Sequence, residues 1–127
     1  MVVGGLYFTK GEDGVPMLYG DPNKEPLTFE PQIPQKDTIQ ECNGVPMGFT
    51  LYHMGLFRDE TLYEIEEVDG VEKKVWFKTE QSASRTDTMF FTQDLYFCNK
   101  LRKLGYRMAI DTRVKVGHLD KETGMVW

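Results

Sequence analysis

The sequence predicts a single α/β domain, and three features of its pattern support that prediction. Short β-prone segments occur throughout the 127 residues. One longer segment, residues 92–104, has the apolar spacing of an amphipathic helix. Neither an internal repeat nor a linker divides the chain, and its length suits one hydrophobic core. The expected architecture is a mixed sheet with β-hairpins and one principal helix.

The N-terminal segment predicts the centre of that sheet. Val2–Thr9 is apolar and β-prone, as a buried strand would be. A turn at Glu12-Asp13-Gly14 would return the chain as a second strand, Val15–Tyr19. Residues 20–37 contain four prolines, which predicts a loop. Because a buried strand begins at residue 2 without a polar lead-in, we expect that a further segment precedes it.

The middle of the chain predicts two more strands and a turn of helix. Thr38–Glu41 has the character of a short strand. Phe49–Tyr52 is apolar enough to be a buried strand, and His53–Asp59 is typical of a helical turn.

A β-hairpin is the clearest local prediction. Two strand-like segments, Thr61–Val68 and Val71–Lys78, are joined by Asp69-Gly70. An Asp-Gly pair accepts the positive φ angles that a type I′ turn requires. Residues 79–88 are polar and rich in small side chains, which predicts a mobile loop.

The C-terminal part predicts the helix and two further strands. Thr92 can cap a helix that runs to Leu104, and Gly105 can close it in a left-handed conformation. Tyr106–Asp111 and Val114–Gly117 alternate as strands do. The apolar face of the helix is expected to comprise Leu95, Phe97, Cys98, Leu101 and Leu104.

Composition excludes several classes of protein. The net charge is −5 and no basic stripe is interleaved with aromatic residues, which argues against a nucleic-acid partner. Lys100, Arg102 and Lys103 form the basic cluster, late in the predicted helix, where they suit the helix dipole. The two cysteines give neither a disulfide framework nor metal-ligand spacing. Without a signal-peptide pattern or an apolar span, a cytoplasmic setting is expected.

Two polar residues are candidates for chemistry. Asp94 falls in the first turn of the predicted helix, where a carboxylate is stabilised, although acidic residues are common there without further function. His118 ends a strand-like stretch and precedes Asp120, a weak pattern for a metal site or a proton relay. The two side chains face one cleft if the chain bends after residue 111. A tight hairpin turn at residues 111–113 would instead carry His118 away.

An ordered set of motifs resembles the closing part of GT-A glycosyltransferases of the family 2 kind. Those enzymes have an acidic pair that opens a helix, a Gly-aromatic pair after it, and a histidine on a following strand. The matching stretches here are Thr92-Gln93-Asp94-Leu95-Tyr96-Phe97-Cys98, Leu104-Gly105-Tyr106-Arg107, Asp111-Thr112 and Val114-Lys115-Val116-Gly117-His118. The other stretches are Val2-Val3-Gly4-Gly5-Leu6-Tyr7-Phe8, Cys42-Asn43-Gly44-Val45-Pro46-Met47-Gly48 with Phe49-Thr50-Leu51, and the aromatic pair Trp76-Phe77. The resemblance covers nearly the whole chain.

The resemblance implies a role for each matched residue. Asp94 matches the general base, which would take the proton from an acceptor hydroxyl. His118 matches a histidine that helps to coordinate a divalent metal, manganese or magnesium, on the nucleotide diphosphate. Met47 and Gly48 match the loop between donor and acceptor, and Trp76 with Phe77 would offer an apolar platform to a sugar. From the residues alone, that aromatic pair is equally a piece of core, and Gly44 and Gly48 are more simply explained as relief of backbone strain.

The chain departs from the family pattern in two places. The usual Glu before the base is Gln93, which keeps hydrogen-bonding capacity but removes a charge. No Asp-x-Asp motif occurs, so the resemblance implies that residues 1–127 are the C-terminal part of a catalytic domain without its nucleotide-binding half. His118 alone would be a poor site for a hard metal ion, and the metal is expected only together with that half. We therefore expect no transferase activity from this chain by itself.

The implied partners are a nucleotide-sugar donor and a glycan or lipid-linked acceptor. A lipid-linked acceptor leaves peripheral membrane contact open, although no basic amphipathic helix supports it. An unpaired N-terminal strand would favour association with a second copy. The alternative from another class is a non-catalytic carbohydrate-binding or interaction module on the same scaffold, with Trp76, Phe77 and Tyr96 as contact residues. A hydrolase that uses Asp94 and His118 is disfavoured, because no Gly-x-Ser-x-Gly motif supplies a nucleophile.

Overall fold

The computed structural model describes residues 1–9, 14–83 and 88–126, and it is a mixed α/β structure with one main helix. Within those ranges the helix is α1 (Gln93–Lys103), and two 3₁₀ turns span Met47–Phe49 and Met54–Arg58. The strands, in chain order, are β1 (Val2–Leu6), β2 (Phe8–Thr9), β3 (Val15–Pro16), β4 (Ile39–Cys42), β5 (Thr50–Tyr52), β6 (Glu64–Val68), β7 (Val71–Val75), β8 (Glu80–Ala83), β9 (Thr88–Phe91) and β10 (Met108–Lys115). 

The main sheet is mixed and has the strand order β4-β10-β1-β5. Its two inner strands, β1 and β10, run parallel, whereas β4 and β5 pair antiparallel to them. The prediction of a buried central strand at the N-terminus is therefore confirmed, with Val2 fully buried. Because β1 is bonded on both sides, the expected unpaired edge at this strand is not present, and association with a second copy stays a prediction.

Strand β10 replaces the two strands predicted between Tyr106 and Gly117. Its pairing with β1 slips after Gly5, so that Asp111 faces Gly5 and Lys115 faces Leu6. The extra residues form an irregularity of the bulge type in a continuous strand, and no hairpin turn occurs at residues 111–113. The Val116 N–H then donates to the Leu6 carbonyl at 2.9 Å. The chain consequently stays beside the end of β1 and does not carry His118 away.

Helix α1 supplies the side chains that cover the sheet. Phe97, Cys98 and Leu101 are fully buried and pack in one core cluster with residues of β1 and β10. Gly105 has a φ of +80°, the left-handed conformation predicted for the end of the helix. The predicted apolar face is wrong at Leu104, which is 47% exposed, because it follows the last helical turn and lies beyond the sheet.

The two edge strands differ in how well they were predicted. Strand β4 lies within one residue of the predicted Thr38–Glu41. Strand β5 begins one residue after the predicted Phe49–Tyr52, and it is not buried, since Leu51 is 76% exposed. The physical reason is its position at the edge of the sheet, where it pairs with β1 alone. The helical turn expected after it is the 3₁₀ turn Met54–Arg58.

Three short hairpins complete the fold. Strands β2 and β3 pair as predicted, although β3 ends at Pro16. Glu12 and Asp13 of the predicted turn lie outside the described residues. The β6–β7 hairpin is confirmed, with φ angles of +54° at Asp69 and +75° at Gly70. The loop predicted at residues 79–88 is wrong for its described part, because β8 and β9 pair antiparallel there.

Isolated backbone bridges, instead of regular strands, tie down the proline-rich loop. Residues 20–37 contain neither helix nor strand, as predicted, and Tyr19 bridges to both Pro31 and Gly44. Cys42 and Cys98 are both free and buried. Among the residues that the structure describes, no helix is long and apolar enough to cross a membrane.

Candidate functional site

Asp94 occupies the first turn of α1, and local hydrogen bonds fix one of its carboxylate oxygens. Thr92 precedes the helix with an extended backbone, as an N-cap residue does, but its hydroxyl does not cap the helix. The hydroxyl donates instead to Oδ1 of Asp94, which also accepts the Leu95 N–H at 3.0 Å. Within the described part of the chain, Oδ2 accepts no hydrogen bond. The carboxylate is therefore oriented through one oxygen while the other is available to a ligand.

A surface hollow of about 370 Å³ lies against this carboxylate. That volume falls at the small end of the range for ligand pockets. Three of the residues predicted to form the site are brought together here, and Met47 is far from Gln93 and Asp94 in the sequence. The hollow is lined by Met47, Thr79, Thr92, Gln93 and Asp94, and Gly48 follows Met47 in the same 3₁₀ turn.

Three tyrosines, none of them predicted to belong to the site, lie within the electrostatic reach of Asp94. Burial raises the pKa of Tyr7, Tyr19 and Tyr52, and the negative charge of Asp94 raises each pKa further. The pKa of Tyr19 reaches about 12. All three phenols are consequently protonated at neutral pH and can donate hydrogen bonds. Their distance from Asp94 in the sequence explains why no local pattern reveals them.

The three hydroxyls differ in their present partners. The hydroxyl of Tyr19 donates to Sδ of Met17 at 3.0 Å. A backbone hydrogen bond from Gly48 lowers the pKa of Tyr7, opposing the effect of burial. The hydroxyl of Tyr52 is buried and has no hydrogen-bond partner among the described residues. Such an oxygen is costly to leave unsatisfied, so it marks a place where a polar group or a water would be favourable.

His118 lies after β10 and lines a second hollow, of about 420 Å³. The other residues that line it are Thr9, Leu119, Asp120, Lys121 and Glu122. The two hollows share no lining residue, so the expectation that Asp94 and His118 face one common cleft is wrong in that form. Tyr7 nevertheless connects them, because its ring centroid lies 5.8 Å from that of His118 while its hydroxyl contacts Gly48.

The side chains around His118 bear on its predicted role as a metal ligand. Magnesium and manganese require several oxygen ligands in a regular shell. Among the described residues, no three His, Cys, Asp or Glu side chains are grouped closely enough to hold a metal ion. The described residues do not by themselves fit a divalent metal. The metal-binding role of His118 stays a prediction.

The aromatic residues predicted to contact a sugar pack instead into a cluster behind α1. The ring of Phe77 lies 4.5 Å from that of Phe97, and the ring of Trp76 lies 5.9 Å from that of Phe57. Tyr96 is 5% exposed, and its hydroxyl donates to Glu64. Neither Trp76 nor Phe77 lines the hollow beside Asp94. The contacts therefore favour the core interpretation of the pair, and Tyr96 is too buried for the contact role that a binding module would need.

The structure explains the glycine at position 48 by close packing, and not by the predicted relief of backbone strain. Its φ angle is not in the left-handed region, so relief of backbone strain does not explain it. A Cβ atom at this position would lie 2.6 Å from the hydroxyl oxygen of Tyr7. Gly44 is similar, since a Cβ there would lie 2.8 Å from Cδ2 of Leu95. Both glycines provide room for neighbouring side chains.

No protein-family model, curated protein or solved structure matches this chain. The feature most suited to chemistry is the oriented carboxylate of Asp94, which lies at a hollow that Met47 and Gln93 also line.

Proposed function

We propose that this chain carries the acceptor-side part of a GT-A-type glycosyltransferase site, which transfers a sugar from a nucleotide-sugar donor to a glycan or lipid-linked acceptor. The observation that supports the proposal is the state of the Asp94 carboxylate. Oδ1 is held by Thr92 and Leu95, Oδ2 accepts no hydrogen bond within the described part of the chain, and Asp94 lines a hollow of ligand size. A general base needs this combination of fixed orientation and one accessible oxygen.

The proposed reaction follows from that carboxylate. An acceptor hydroxyl bound in the hollow would give its proton to Oδ2 of Asp94 as its oxygen forms a bond to the anomeric carbon of the donor. The bond between that carbon and the nucleoside diphosphate would break, and the diphosphate would leave with the electron pair. Because Oδ1 already accepts two hydrogen bonds, the carboxylate need not reorient when the acceptor binds.

The other residues of the hollow suit recognition of a hydroxylated ligand. Gln93 offers both an amide donor and a carbonyl acceptor, which a sugar hydroxyl can use in either direction. Met47 is 44% exposed and supplies an adaptable apolar contact for the face of a sugar ring. Thr79 adds a second hydroxyl to the rim. A candidate base, polar side chains and an apolar side chain thus line one small hollow.

The proposal is tested by measuring the release of nucleoside diphosphate from a panel of UDP-, GDP- and dTDP-sugars with glycan and lipid-linked acceptors. The assay is run on the isolated chain and on the product of the complete reading frame that encodes it. We expect turnover only from the complete product. Asp94→Asn should lower its kcat by about 10²- to 10⁴-fold, the usual contribution of a general base.

The matched control is Asp69→Asn, which removes a carboxylate in the exposed turn of the β6–β7 hairpin. It should leave kcat unchanged. Full activity of the Asp94→Asn variant, or transfer by the isolated chain, would contradict the proposal. Absence of any turnover from the complete product with the whole panel would also count against it.

A further inference from the structure

We propose that Tyr7 is a positioning residue, which holds the 3₁₀ turn beside Asp94 and the imidazole of His118 in a fixed relation to each other. What the two positioned groups accomplish rests on the proposed function, whereas the positioning itself does not. Tyr7 follows β1 and is 8% exposed. Its ring packs against His118, which lines one hollow, and its hydroxyl contacts Gly48, the neighbour of Met47 in the wall of the other.

One end of the Tyr7 side chain contacts the turn that carries Met47. A Cβ atom built on Gly48 would lie 2.6 Å from the Tyr7 hydroxyl oxygen and 2.9 Å from its Cζ. Such distances are too short for carbon atoms in contact, so the phenol rests directly on the backbone of the turn. Met47, the preceding residue, lines the hollow of Asp94. The hydroxyl end of Tyr7 therefore sets the position of one wall of that hollow.

The other contact of Tyr7 is with His118. The two ring centroids are 5.8 Å apart and the ring planes are inclined by 32°. The chain that carries the histidine is held nearby, because the Val116 N–H bonds to the Leu6 carbonyl at 2.9 Å. The imidazole is itself exposed, and Tyr7 is the aromatic ring that contacts it among the described residues.

The backbone leaves the Tyr7 ring little freedom to adjust. Its carbonyl accepts the Met17 N–H at 3.0 Å, which ties the residue to the chain after β3. A displacement at the hydroxyl end cannot be absorbed by exposed space, because the side chain is enclosed. A change at Gly48 should therefore reach His118 through the ring, although Gly48 and His118 do not belong to the same hollow.

This coupling is testable by NMR on the isolated chain without any ligand. The chain has two histidines, and the exposed His53, which caps the second 3₁₀ turn, is an internal reference. Gly48→Ala should shift the imidazole proton signals of His118 and leave those of His53 in place. In a Tyr7→Leu background, the same substitution should no longer shift the His118 signals.

The Tyr7→Phe variant tests the contact of the hydroxyl with Gly48 independently of the contact of the ring with His118. It keeps the ring, so the ring-current shift of His118 should be close to that of the wild type. It removes the oxygen nearest to Gly48, so Gly48→Ala should shift His118 less than in the wild type. This variant also serves if Tyr7→Leu does not fold, which the dispersion of the amide spectrum reports.

Two results would overturn the inference. One is that Gly48→Ala leaves His118 unshifted while the protein is folded. The other is that its effect on His118 has the same size with Tyr and with Phe at position 7. Because no ligand is present, failure of the nucleotide-sugar assay would remove the proposed function without affecting this result, and the reverse also holds.

Discussion

The attachment of the β6–β7 hairpin to α1 gives a pH-dependent prediction whose size follows from the structure. Glu64, at the start of β6, accepts from Lys78 Nζ at 2.5 Å and lies 3.0 Å from Lys100 Nζ. The Tyr96 hydroxyl also donates to it. Since most of the hairpin is exposed, this cluster is a principal link between the hairpin and the helix.

The perturbation is Glu64→Gln, which keeps the shape of the side chain and removes its charge. Hydrogen bonds from Lys78, Tyr96 and Lys100 lower the pKa of Glu64 from 4.5 to about 2. A depressed carboxyl pKa stabilises the folded state above the unfolded pKa, and that stabilisation is lost as the pH falls from 4.5 towards 2. The unscreened shift corresponds to about 3.4 kcal/mol at 1.36 kcal/mol per unit.

Solvent reduces that figure. The Glu64 side chain is 41% exposed and that of Lys78 is 34% exposed, so water screens the pair. Exposed ion pairs contribute at most about 1 kcal/mol, and we take roughly 1 kcal/mol as the expected loss on Glu64→Gln at neutral pH. As the pH falls from 4.5 towards 2 the difference between wild type and variant should diminish, because the unfolded wild-type chain takes up the Glu64 proton at a higher pH than the folded protein does.

Urea unfolding measured by circular dichroism at several pH values checks this expectation. The matched control is Glu67→Gln, which removes a carboxylate from the same strand at an exposed position without an ion pair among the described residues. It should change the free energy of unfolding by less than about 0.5 kcal/mol. If Glu64→Gln destabilises the protein equally at neutral and at acid pH, the reasoning from the pKa of Glu64 is refuted.

Three further predictions concern α1 and the core. Leu101→Ala should lower the free energy of unfolding by about 2–5 kcal/mol, because Leu101 is fully buried, whereas Leu104→Ala at a 47% exposed position should cost much less; urea unfolding of both variants checks this. Gly105→Ala should destabilise by roughly 1 kcal/mol, because it places a Cβ at a φ of +80°, and a loss below the error of the unfolding measurement would argue against that conformation. Cys42 and Cys98 should resist alkylation by iodoacetamide in the folded protein at neutral pH, since burial raises the pKa of each thiol to about 12. Mass spectrometry should find both cysteines labelled after unfolding. Rapid labelling of the native chain would contradict their burial.

The candidate site was predicted in part because part of it is local. Asp94 and Gln93 belong to the first helical turn, and the position of a carboxylate relative to a helix start depends on residues within one turn of it. Met47 was predicted as a site residue only from the resemblance to a family, since no spacing rule places it beside the helix. The hydroxyls of Tyr7, Tyr19 and Tyr52 were missed because their approach to Asp94 depends on how strands pair.

The environment of the aromatic pair Trp76-Phe77, in contrast, was not decided by local sequence. Trp76 and Phe77 follow β7, and the sequence leaves open whether they face solvent or the core. Packing against Phe57 and Phe97 assigns them to the core, because the aromatic surface that α1 presents is available to them. Burial of the pair therefore depends on residues that are distant in the sequence, which a local pattern does not specify.

The sequence by itself determined the α/β class, the hairpin at Asp69-Gly70 and the extent of α1 between Thr92 and Gly105. These features depend on φ preferences, caps and apolar periodicity, all of which act over a few residues. The tertiary structure alone decided that β10 is one irregular strand beside β1. It also decided that Asp94 and His118 line different hollows and that Tyr7 packs against His118, since such contacts arise from packing between segments far apart in the chain.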